Sequence, residues 1–540
     1  MPFQWTDKYP SIRIPLFARN VVATSQPLAA QAGLRMLLKG GNAVDAAIAG
    51  GAMLTIVEPV SCGLGGDAFA IVWDGSRLHG LNSAGVAPAA WNVDYFGKKY
   101  PRAANGLASN PKRGWDSVTV PGAVAGWMEL HKKFGKLPLE DVLAPAIDVA
   151  ENGHAIAPIV AHKWAAAIPE LNEQPGFRET FMPKGRAPAI GECFTFKAAA
   201  ETLRRIARSA GRDFYEGETA HRIAQFSKQT GGALTLDDLA AYRSRWVEPI
   251  QAKYEGHDVY ELPPSGQGIA ALMALRMIEL RGVSSFKVDS VDGHHLQIEA
   301  MKLAFADVYR YVSDPSTMSV SPTDMLSDGH LAERAKLINM KKAMRPTFGM
   351  PRSGGTTYLS AADSSGMMIS FIQSNYLGFG SGVVVPDVGV SLQNRGFGFS
   401  MDPASPNVVA GGKQPFHTII PGFLMKDGRP VMSFGVMGGD MQPQAHVQTL
   451  IRMLTYRQQP QAACDAPRWK LNREFTLDVE GSMPSDLVIG LSERGHQLQS
   501  IDDPYMDFGS GQFIWRLSGP DECGYLAASD SRRDGQAAGF

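Results

Sequence analysis

The stretch SGGTTYLSAAD, residues 353–363, marks a point where two different kinds of sequence meet. From about residue 340 up to this point the chain is basic, carries proline and glycine, and shows little periodicity, which is typical of an exposed linker. The residues after the glycines favour a β-strand, and a second strand follows a turn at 363–366. The sequence therefore predicts that a flexible segment enters a sheet at Gly355–Thr356.

This junction places a candidate nucleophile where the chain could be cut. A threonine hydroxyl is a poor nucleophile unless a base lies beside it. If the Gly355–Thr356 bond were cut, Thr356 would gain an α-amine with an ordinary pKa of about 7.7–8.0, which can act as the base for its own hydroxyl. The adjacent glycines would permit the strained backbone that self-cleavage requires. On this stretch alone, however, Gly-Gly-Thr-Thr is more often an ordinary turn entering a strand.

A second glycine-rich stretch, SFGVMGGDMQPQ at 433–444, predicts a strand, a turn and a helix. Gly438 and Gly439 fall in the turn, just before the helix. Adjacent backbone N–H groups at a helix start can stabilise an oxyanion. A simple strand-to-helix turn is again the alternative.

Composition excludes several classes of function. The 540 residues include 52 basic and 53 acidic ones, a formal net charge of -1, which argues against a nucleic-acid partner. There is no P-loop motif, no HExxH zinc motif and no GxSxG elbow, and GLGGD at 63–67 indicates a tight turn rather than a nucleotide-binding loop. No stretch resembles a secretory signal or a membrane span, so we expect a cytoplasmic protein without a membrane partner.

Metal binding has weak support in the sequence. The four cysteines stand far apart and form no CxxC pair. His294, His295 and Glu299 lie on a predicted helix at about 293–311, where His295 and Glu299 are one turn apart. A single pair at that spacing is more typical of an ordinary helix position than of a metal ligand. We therefore expect neither a metal nor a cofactor.

Many motifs, taken together and in order, resemble the γ-glutamyltransferase (γ-glutamyltranspeptidase) family of N-terminal nucleophile hydrolases. They are GGNAVDAAIA (40–49), VEPVSCGLGGD (57–67), VPGAVAGW (120–127), LPPSGQG (262–268), EAMKLAFAD (299–307), GTTYLSAAD (355–363), FGSG (379–382), MGGD (437–440) and ASDSRRDG (528–535). The resemblance spans nearly the whole chain. It implies an α/β (α+β) fold, a four-layer αββα sandwich, made as a proenzyme.

The resemblance also implies a division of the chain. Self-cleavage at Gly355–Thr356 would give a large chain, 1–355, and a small chain, 356–540, which together form one composite domain. Their further oligomeric state stays open. By position, Thr356 is the nucleophile and Thr357 the second residue of the family's Thr-Thr pair.

Three more residues carry over by position. Ser374 stands where the family usually has a threonine that hydrogen-bonds the nucleophile. Gly438 and Gly439 match the oxyanion-hole glycines. The implied acyl-enzyme is released by water or by an amine acceptor.

The departures from the family concern the substrate. Members that act on γ-glutamyl compounds hold the α-carboxylate with an arginine in R-E-x-A-P, whereas the matching stretch here is AGVAP, 84–88. They hold the α-amine with an aspartate where this chain has Gly398. Losing two charged anchors weakens binding, since hydrogen bonds to charged groups contribute roughly 1.5–3 kcal/mol each.

The residues around the lost anchors suggest a replacement. Asn394 and Arg395 lie in the same stretch as Gly398, and His417-Thr418 replaces the family's Ser-Ser pair. We expect all four residues to border the acyl pocket, with the Arg395 guanidinium gripping a substrate carboxylate. A structural arginine paired with a nearby acid is the alternative.

The sequence thus favours an autoprocessed amide hydrolase for a small carboxylate-bearing amide, oxamate-like or glutaryl-like, close to the family's oxamate amidohydrolase and cephalosporin acylase branches. Two alternatives stay open. One is a true γ-glutamyl hydrolase or transferase acting on glutathione and γ-glutamyl amides with different anchors. The other is a degenerate member that folds without catalysing.

Overall fold

Two large antiparallel sheets organise the computed structural model, which describes residues 12–102, 106–346, 355–472, 475–503 and 508–540. The strands in these ranges are β1 (Leu16–Ala18), β2 (Val21–Thr24), β3 (Asp67–Trp73), β4 (Leu78–Ser83), β5 (His154–Ala155), β6 (Cys193–Phe194), β7 (Arg245–Val247), β8 (Ile250–Tyr254), β9 (His257–Glu261), β10 (Gly355–Ala362), β11 (Met368–Tyr376), β12 (Val384–Val385), β13 (Val390–Ser391), β14 (Gly422–Lys426), β15 (Arg429–Met437), β16 (Trp469–Leu471), β17 (Thr476–Glu480), β18 (Gln497–Ile501), β19 (Ser510–Arg516), β20 (Tyr525–Ser529) and β21 (Gln536–Gly539).

Helices cover the outer faces of these sheets. In the same described ranges they are α1 (Pro27–Leu38), α2 (Ala43–Val57), α3 (Val93–Lys99), α4 (Ala123–Phe134), α5 (Leu139–Asn152), α6 (Pro158–Leu171), α7 (Phe177–Phe181), α8 (Lys197–Ser209), α9 (Arg212–Glu216), α10 (Glu218–Gln229), α11 (Leu236–Ala241), α12 (Gly268–Leu280), α13 (Val291–Tyr311), α14 (Pro322–Met325), α15 (Asp328–Lys336), α16 (Met441–Leu450), α17 (Pro460–Asp465) and α18 (Ser485–Glu493).

Each large sheet is built from both sides of the predicted cleavage point. One has the order β1-β20-β19-β15-β14-β9-β8, and the other has the order β21-β2-β10-β11-β3-β4-β7. In both sheets, strands that precede Gly355 pair with strands that follow it. Examples are β2 with β10 and β3 with β11. A cut at that residue would therefore leave two chains that share both sheets.

The three largest apolar clusters of the described residues form slabs between layers, which makes four layers of structure. Phe69, Ile372, Phe423 and Ile514 are buried between the two sheets. A second slab lies between the β10-containing sheet and α1, α2, α4 and α5, and a third lies between the β15-containing sheet and α12, α13 and α16. The predicted αββα sandwich is confirmed.

Local sequence explains the helix next to β10. Asn42 caps α2 by accepting from the amides of Val44 and Asp45, while Asp45 accepts from the Asn42 amide. All fifteen residues of α2 are buried, and its small side chains allow the close packing that the sequence predicts. A side chain at Gly50 would clash with Leu359 of β10. This contact fixes the helix against β10, the strand that begins at the predicted cleavage point.

The pattern predicts mostly helix over 120–340, and α4 to α15 lie there. The same segment also contributes β7, β8 and β9, which complete the edges of both sheets. The pattern also predicts a strand from His417, whereas β14 begins at Gly422. The last amides before it donate to side chains instead of a neighbouring strand: the Ile419 amide donates to His417 Nδ1 at 3.3 Å and the Ile420 amide to Gln442 Oε1 at 2.9 Å.

The predicted linker lies partly within the described residues. Residues 340–346 form neither helix nor strand there, and 347–354 lie outside the described residues. Within the described part of the chain, no helix is long and apolar enough to cross a membrane.

Candidate active site

Thr356 lies at an irregular point in the pairing of β10 with β11. Gly355 pairs with Tyr376 and Thr357 with Gln373, so the register shifts at Thr356. Bulges of this kind re-aim a side chain and are common next to active sites. Thr356 is buried, with 2% of its surface exposed.

Two side chains contact the Thr356 hydroxyl. Oγ1 donates to Ser374 Oγ at 3.3 Å, and Ser374 Oγ also accepts from the Tyr376 amide at 2.7 Å. From the other side, Gln442 Nε2 donates to Thr356 Oγ1 at 3.3 Å. Thr357 Oγ1 instead donates to the Gln373 carbonyl at 3.2 Å, which ties it to the neighbouring strand.

The glycine pair follows β15 and leads into α16. Gly438 has φ 134° and Gly439 has φ 60°, backbone conformations that favour glycine. An added Cβ at Gly438 would lie 2.9 Å from Gly509 Cα. Within the described residues, neither glycine amide donates a hydrogen bond, and such amides at a helix start suit an oxyanion.

Arg395 is buried, with 1% of its surface exposed. Its guanidinium stacks 4.5 Å from the centre of the Tyr376 ring, and Nη1 donates to Thr418 Oγ1 at 2.7 Å. Nε lies 3.4 Å from Asp67 Oδ2 without hydrogen-bond geometry, so in the described part of the chain neither Nε nor Nη2 has a hydrogen-bond partner. Burial lowers the pKa of Arg395 to about 10, although Asp67 opposes that shift. Two buried donors on one edge of the guanidinium, Nε and Nη2, are therefore available to another acceptor.

Asp67, at the start of β3, is the acid beside this arginine. Its Oδ1 accepts from the Gly85 amide at 2.9 Å, and its Oδ2 lies 3.0 Å from His417 Nε2. Burial raises the pKa of Asp67 to about 7, and the positive charge of Arg395 acts in the opposite direction. The carboxyl group therefore changes its charge near neutral pH.

His417 is a neutral member of the cluster. Its Nδ1 accepts from the Ile419 amide at 3.3 Å, so Nε2 carries the proton that is donated to Asp67. Burial and the nearby Arg395 hold the pKa of His417 well below its ordinary value. The positive charge of the cluster rests on the guanidinium.

A bridging glutamine connects the arginine side of the site with the glycine pair. Gln267 Nε2 donates to the Thr418 carbonyl at 2.7 Å and to the Gly439 carbonyl at 2.9 Å. Thr418 in turn holds Arg395 through its hydroxyl. Ser374 and Tyr376 link the same arginine to Thr356, so the structure brings most of the predicted residues together.

Asn394 has a different environment from the one predicted for it. Its Nδ2 donates to the Lys112 carbonyl at 2.8 Å, and its Oδ1 accepts from the Leu377 amide at 3.1 Å. Both ends of the side chain thus hold backbone segments next to Arg395. Its contact with a substrate stays a prediction.

The structure around the two lost anchors differs from what those anchors would need. An added Cβ at Gly398 would lie 2.7 Å from the Phe416 carbonyl oxygen, so an aspartate does not fit this backbone. The stretch that matches R-E-x-A-P contributes its Gly85 amide to Asp67.

Sequence reasoning missed Asp67, Gln267 and Gln442. The signal for Asp67 was an acid that opens the otherwise apolar run DAFAIVW and follows GLGG. The two glutamines lie in the motifs LPPSGQG and MGGDMQPQ, but no sequence pattern distinguishes a glutamine that contacts a site from any other.

The pair His295 and Glu299 lies in a separate buried cluster with His496. His295 Nδ1 is 2.8 Å from His496 Nε2, and one ligand atom from each of the three residues lies within 4.8 Å of the others. Glu299 already has a counter-ion there, because Lys302 Nζ lies 2.6 Å from its Oε1. The same two residues hold the backbone of Met344, where Glu299 Oε2 accepts from the amide at 2.9 Å and Lys302 donates to the carbonyl at 3.0 Å.

Comparison with known proteins agrees with this architecture. The model of the gamma-glutamyltranspeptidase family matches residues 29–540. A crystal structure of cephalosporin acylase from Bacillus halodurans superposes with a TM-score of 0.93 at 46% sequence identity, covering 100% of this chain and 99% of that one.

Two curated proteins are similar over nearly their full lengths. The glutathione hydrolase-like YwrD proenzyme of Bacillus subtilis is 34% identical over 97% of this chain and 98% of its own. The oxamate amidohydrolase proenzyme of Klebsiella pneumoniae is 34% identical over 95% of this chain and 97% of its own.

Proposed function

The chain belongs to the gamma-glutamyltranspeptidase family, and from this premise we propose that it is an autoprocessing N-terminal threonine amidohydrolase for a small amide that bears a carboxylate. The observation that carries the substrate class is the buried Arg395 guanidinium, with Nε and Nη2 unclaimed by the described residues. A guanidinium fork matches a carboxylate bidentately, and burial strengthens that interaction.

The proposed reaction begins when cleavage at Gly355–Thr356 frees the α-amine of Thr356. The neutral amine takes the proton of the hydroxyl, and Oγ1 attacks the amide carbon of the substrate. The amides of Gly438 and Gly439 stabilise the oxyanion. The amine then passes its proton to the leaving nitrogen, and water hydrolyses the acyl-enzyme.

Ser374 and Arg395 orient the two partners of this reaction. Ser374 holds the nucleophile through its 3.3 Å contact and is itself held by the Tyr376 amide. Tyr376 also stacks on Arg395, so one short segment of β11 connects the nucleophile with the carboxylate anchor. The distance between amide and carboxylate in the substrate is then what the site selects.

That distance is the property on which oxamate and a glutaryl amide differ. Oxamate carries its carboxylate directly on the amide carbon, while a glutaryl amide places three methylene groups between them. The names of the Klebsiella and Bacillus halodurans relatives point to amide hydrolysis of dissimilar substrates. A series of monoamides from oxamate through malonamate and succinamate to glutaramate measures the preferred spacing.

A γ-glutamyl hydrolase or transferase is the second candidate. The observation in its favour is that Asp67 lies beside Arg395, so an acid and a guanidinium are both present for an amino acid head group. The Bacillus subtilis relative is named glutathione hydrolase-like. Comparing γ-glutamyl anilide with glutaryl anilide, which lacks the α-amine, distinguishes the two candidates.

The first experiment is a denaturing gel combined with this amide series. The wild-type protein should separate into fragments 1–355 and 356–540, whereas Thr356→Ala should remain one chain and hydrolyse nothing. A cleaved Thr356→Ala protein would refute the nucleophile assignment. An uncut, inactive wild-type protein would support the degenerate, non-catalytic alternative.

A further inference from the structure

The Gln442 side chain reaches the reacting atom of the proposed nucleophile. Its Nε2 lies 3.3 Å from Thr356 Oγ1, and the residue is fully buried. The orientation of the carboxamide is fixed, because Oε1 accepts from the Ile420 amide at 2.9 Å and a backbone N–H requires an oxygen there. The nitrogen, and with it an N–H donor, therefore faces Thr356.

Position in the chain ties this donor to the oxyanion glycines. Gln442 is the second residue of α16, and its own amide donates to the Gly439 carbonyl at 3.2 Å. Gln267 holds the same carbonyl from the opposite side at 2.9 Å. The helix start thus presents backbone donors and a side-chain donor from one rigid turn.

The two neighbours of the hydroxyl have opposite functions. Thr356 Oγ1 donates its proton to Ser374 Oγ, so that contact takes hydrogen from the nucleophile. In the contact with Gln442, the nucleophile oxygen is the acceptor. A donor to this oxygen stabilises it most when it carries negative charge.

We propose that Gln442 is a catalytic residue, which donates a hydrogen bond to the oxygen of Thr356 while that oxygen gains negative charge in acylation and again in deacylation. This rests on the proposed function of Thr356. In acylation the O–H bond breaks, the proton moves to the α-amine, and the oxygen forms its bond to the acyl carbon. In deacylation the neutral α-amine takes a proton from water while the water oxygen adds to that carbon. The carbon–Oγ bond then breaks, and Oγ keeps the electron pair until the ammonium returns the proton. Gln442 keeps its own protons throughout.

A glutamine suits this position because it donates without carrying charge. A glutamate would oppose the negative charge on the oxygen, and a lysine would oppose protonation of the neighbouring α-amine. The carboxamide supplies the donor and leaves both charge changes unhindered.

The test separates this role from a structural one by comparing Gln442→Met with Gln448→Met. Gln448 lies further along α16, is also buried, and likewise accepts from one backbone amide, that of Trp469, at 3.2 Å while its Nε2 donates to the Trp469 carbonyl. Both variants lose such a tether, but Gln442→Met alone loses a donor at Thr356. The measurements are single-turnover acylation and deacylation rates, self-cleavage rate and thermal midpoint.

We expect Gln442→Met to lower the acylation and deacylation rates about 100-fold, as loss of one oxyanion-hole donor does. Self-cleavage should slow as well, while KM and the thermal midpoint should match those of Gln448→Met. Acylation rates within about threefold of those of Gln448→Met would overturn the proposal.

A second variant covers the case in which Gln442→Met does not fold. Gln442→Glu has the same shape and still accepts from Ile420, but as a carboxylate it presents no donor to Thr356. Measured at a pH high enough to ionise this buried carboxyl group, its expected loss is at least as large, and wild-type kcat there would overturn the proposal. Activity of the wild type and inactivity of Thr356→Ala are established first, so a failure at Gln442 leaves the proposed function standing.

Discussion

Replacing Arg395 by glutamine tests the substrate class directly. The change removes the two donors, Nε and Nη2, that the described residues leave unclaimed, and it removes the charge that faces them. Hydrogen bonds to charged groups contribute roughly 1.5–3 kcal/mol each, and glutamine retains one neutral donor. Protonation of Asp67 limits the cost of leaving that acid without its arginine, since burial already raises its pKa to about 7. We therefore expect kcat/KM for carboxylate substrates to fall by roughly 10–100-fold, about 1.4–2.8 kcal/mol.

The assay compares each acid with its methyl ester, which keeps the shape and loses the charge. Arg395→Gln should lower kcat/KM for the acid and leave the ester nearly unchanged. Arg395→Lys keeps the charge without the planar fork and should lie between wild type and Arg395→Gln on the acid. Self-cleavage involves no substrate carboxylate and should proceed in both variants.

Two results would refute this reasoning about Arg395. An equal loss on acid and ester would show that the residue supports the site in general. Unchanged kinetics on every acid of the series would show that the carboxylate binds elsewhere, and the pairing with Asp67 would then be the whole function of this arginine.

Three further predictions concern pH and stability. Activity should rise with pH as the α-amine of Thr356 loses its proton, with a pKa below its free value because burial disfavours the cation; a flat rate from pH 5 to 9 in single-turnover measurements would contradict this. Burial raises the pKa of Asp67 to about 7, so raising the pH through 7 puts a negative charge beside Arg395. KM for carboxylate substrates should therefore increase as the pH rises through 7, and Asp67→Asn should remove the increase. Lys302→Met leaves Glu299 buried without its counter-ion and should lower the free energy of unfolding by about 3–5 kcal/mol in urea titrations. Adding Glu299→Gln to this variant should recover part of that loss. If the effects of the two substitutions on the free energy of unfolding simply add, the two residues do not act as a pair.

Local sequence predicted the secondary structure around several site residues, while their roles come from the family resemblance and stay predictions. Thr356 opens a strand after a glycine, and Gly438 and Gly439 separate a strand from a helix, so each has a signature within a few residues. The hairpin of β10 and β11 brings Ser374 close to Thr356, where the two hydroxyls are 3.3 Å apart, but the register shift at Thr356 has no signature in the sequence.

The contact between Asp67 and Arg395 has no such signature. It depends on a bridge between Gly65 and Leu392, where the Gly65 amide donates to the Ser391 carbonyl at 3.1 Å and the Gln393 amide to the Gly65 carbonyl at 3.0 Å. These segments are far apart in the chain, and neither shows a pattern that names the other. The position of Arg395 beside Gly398 therefore leads to the arginine, but not to the acid that lies next to it.

The surroundings of Asp67 and Gly398 show that this pocket differs from the family's pocket by more than the loss of two side chains. The stretch that would carry the family's arginine, AGVAP, supports Asp67 through the Gly85 amide, and a side chain at Gly85 would clash with the Val120 carbonyl. The place of the family's aspartate, Gly398, has no room for an acid against Phe416. Restoring the aspartate at Gly398 would therefore require this backbone to shift. The positive charge of this pocket belongs to Arg395, in the segment that follows β13. Its guanidinium is buried and stacks on Tyr376 of β11, the strand that pairs with β10 and its proposed nucleophile, Thr356. We therefore expect the guanidinium in that position to select for a carboxylate, and Asp67, whose pKa burial raises to about 7, to require no α-amine while it is neutral.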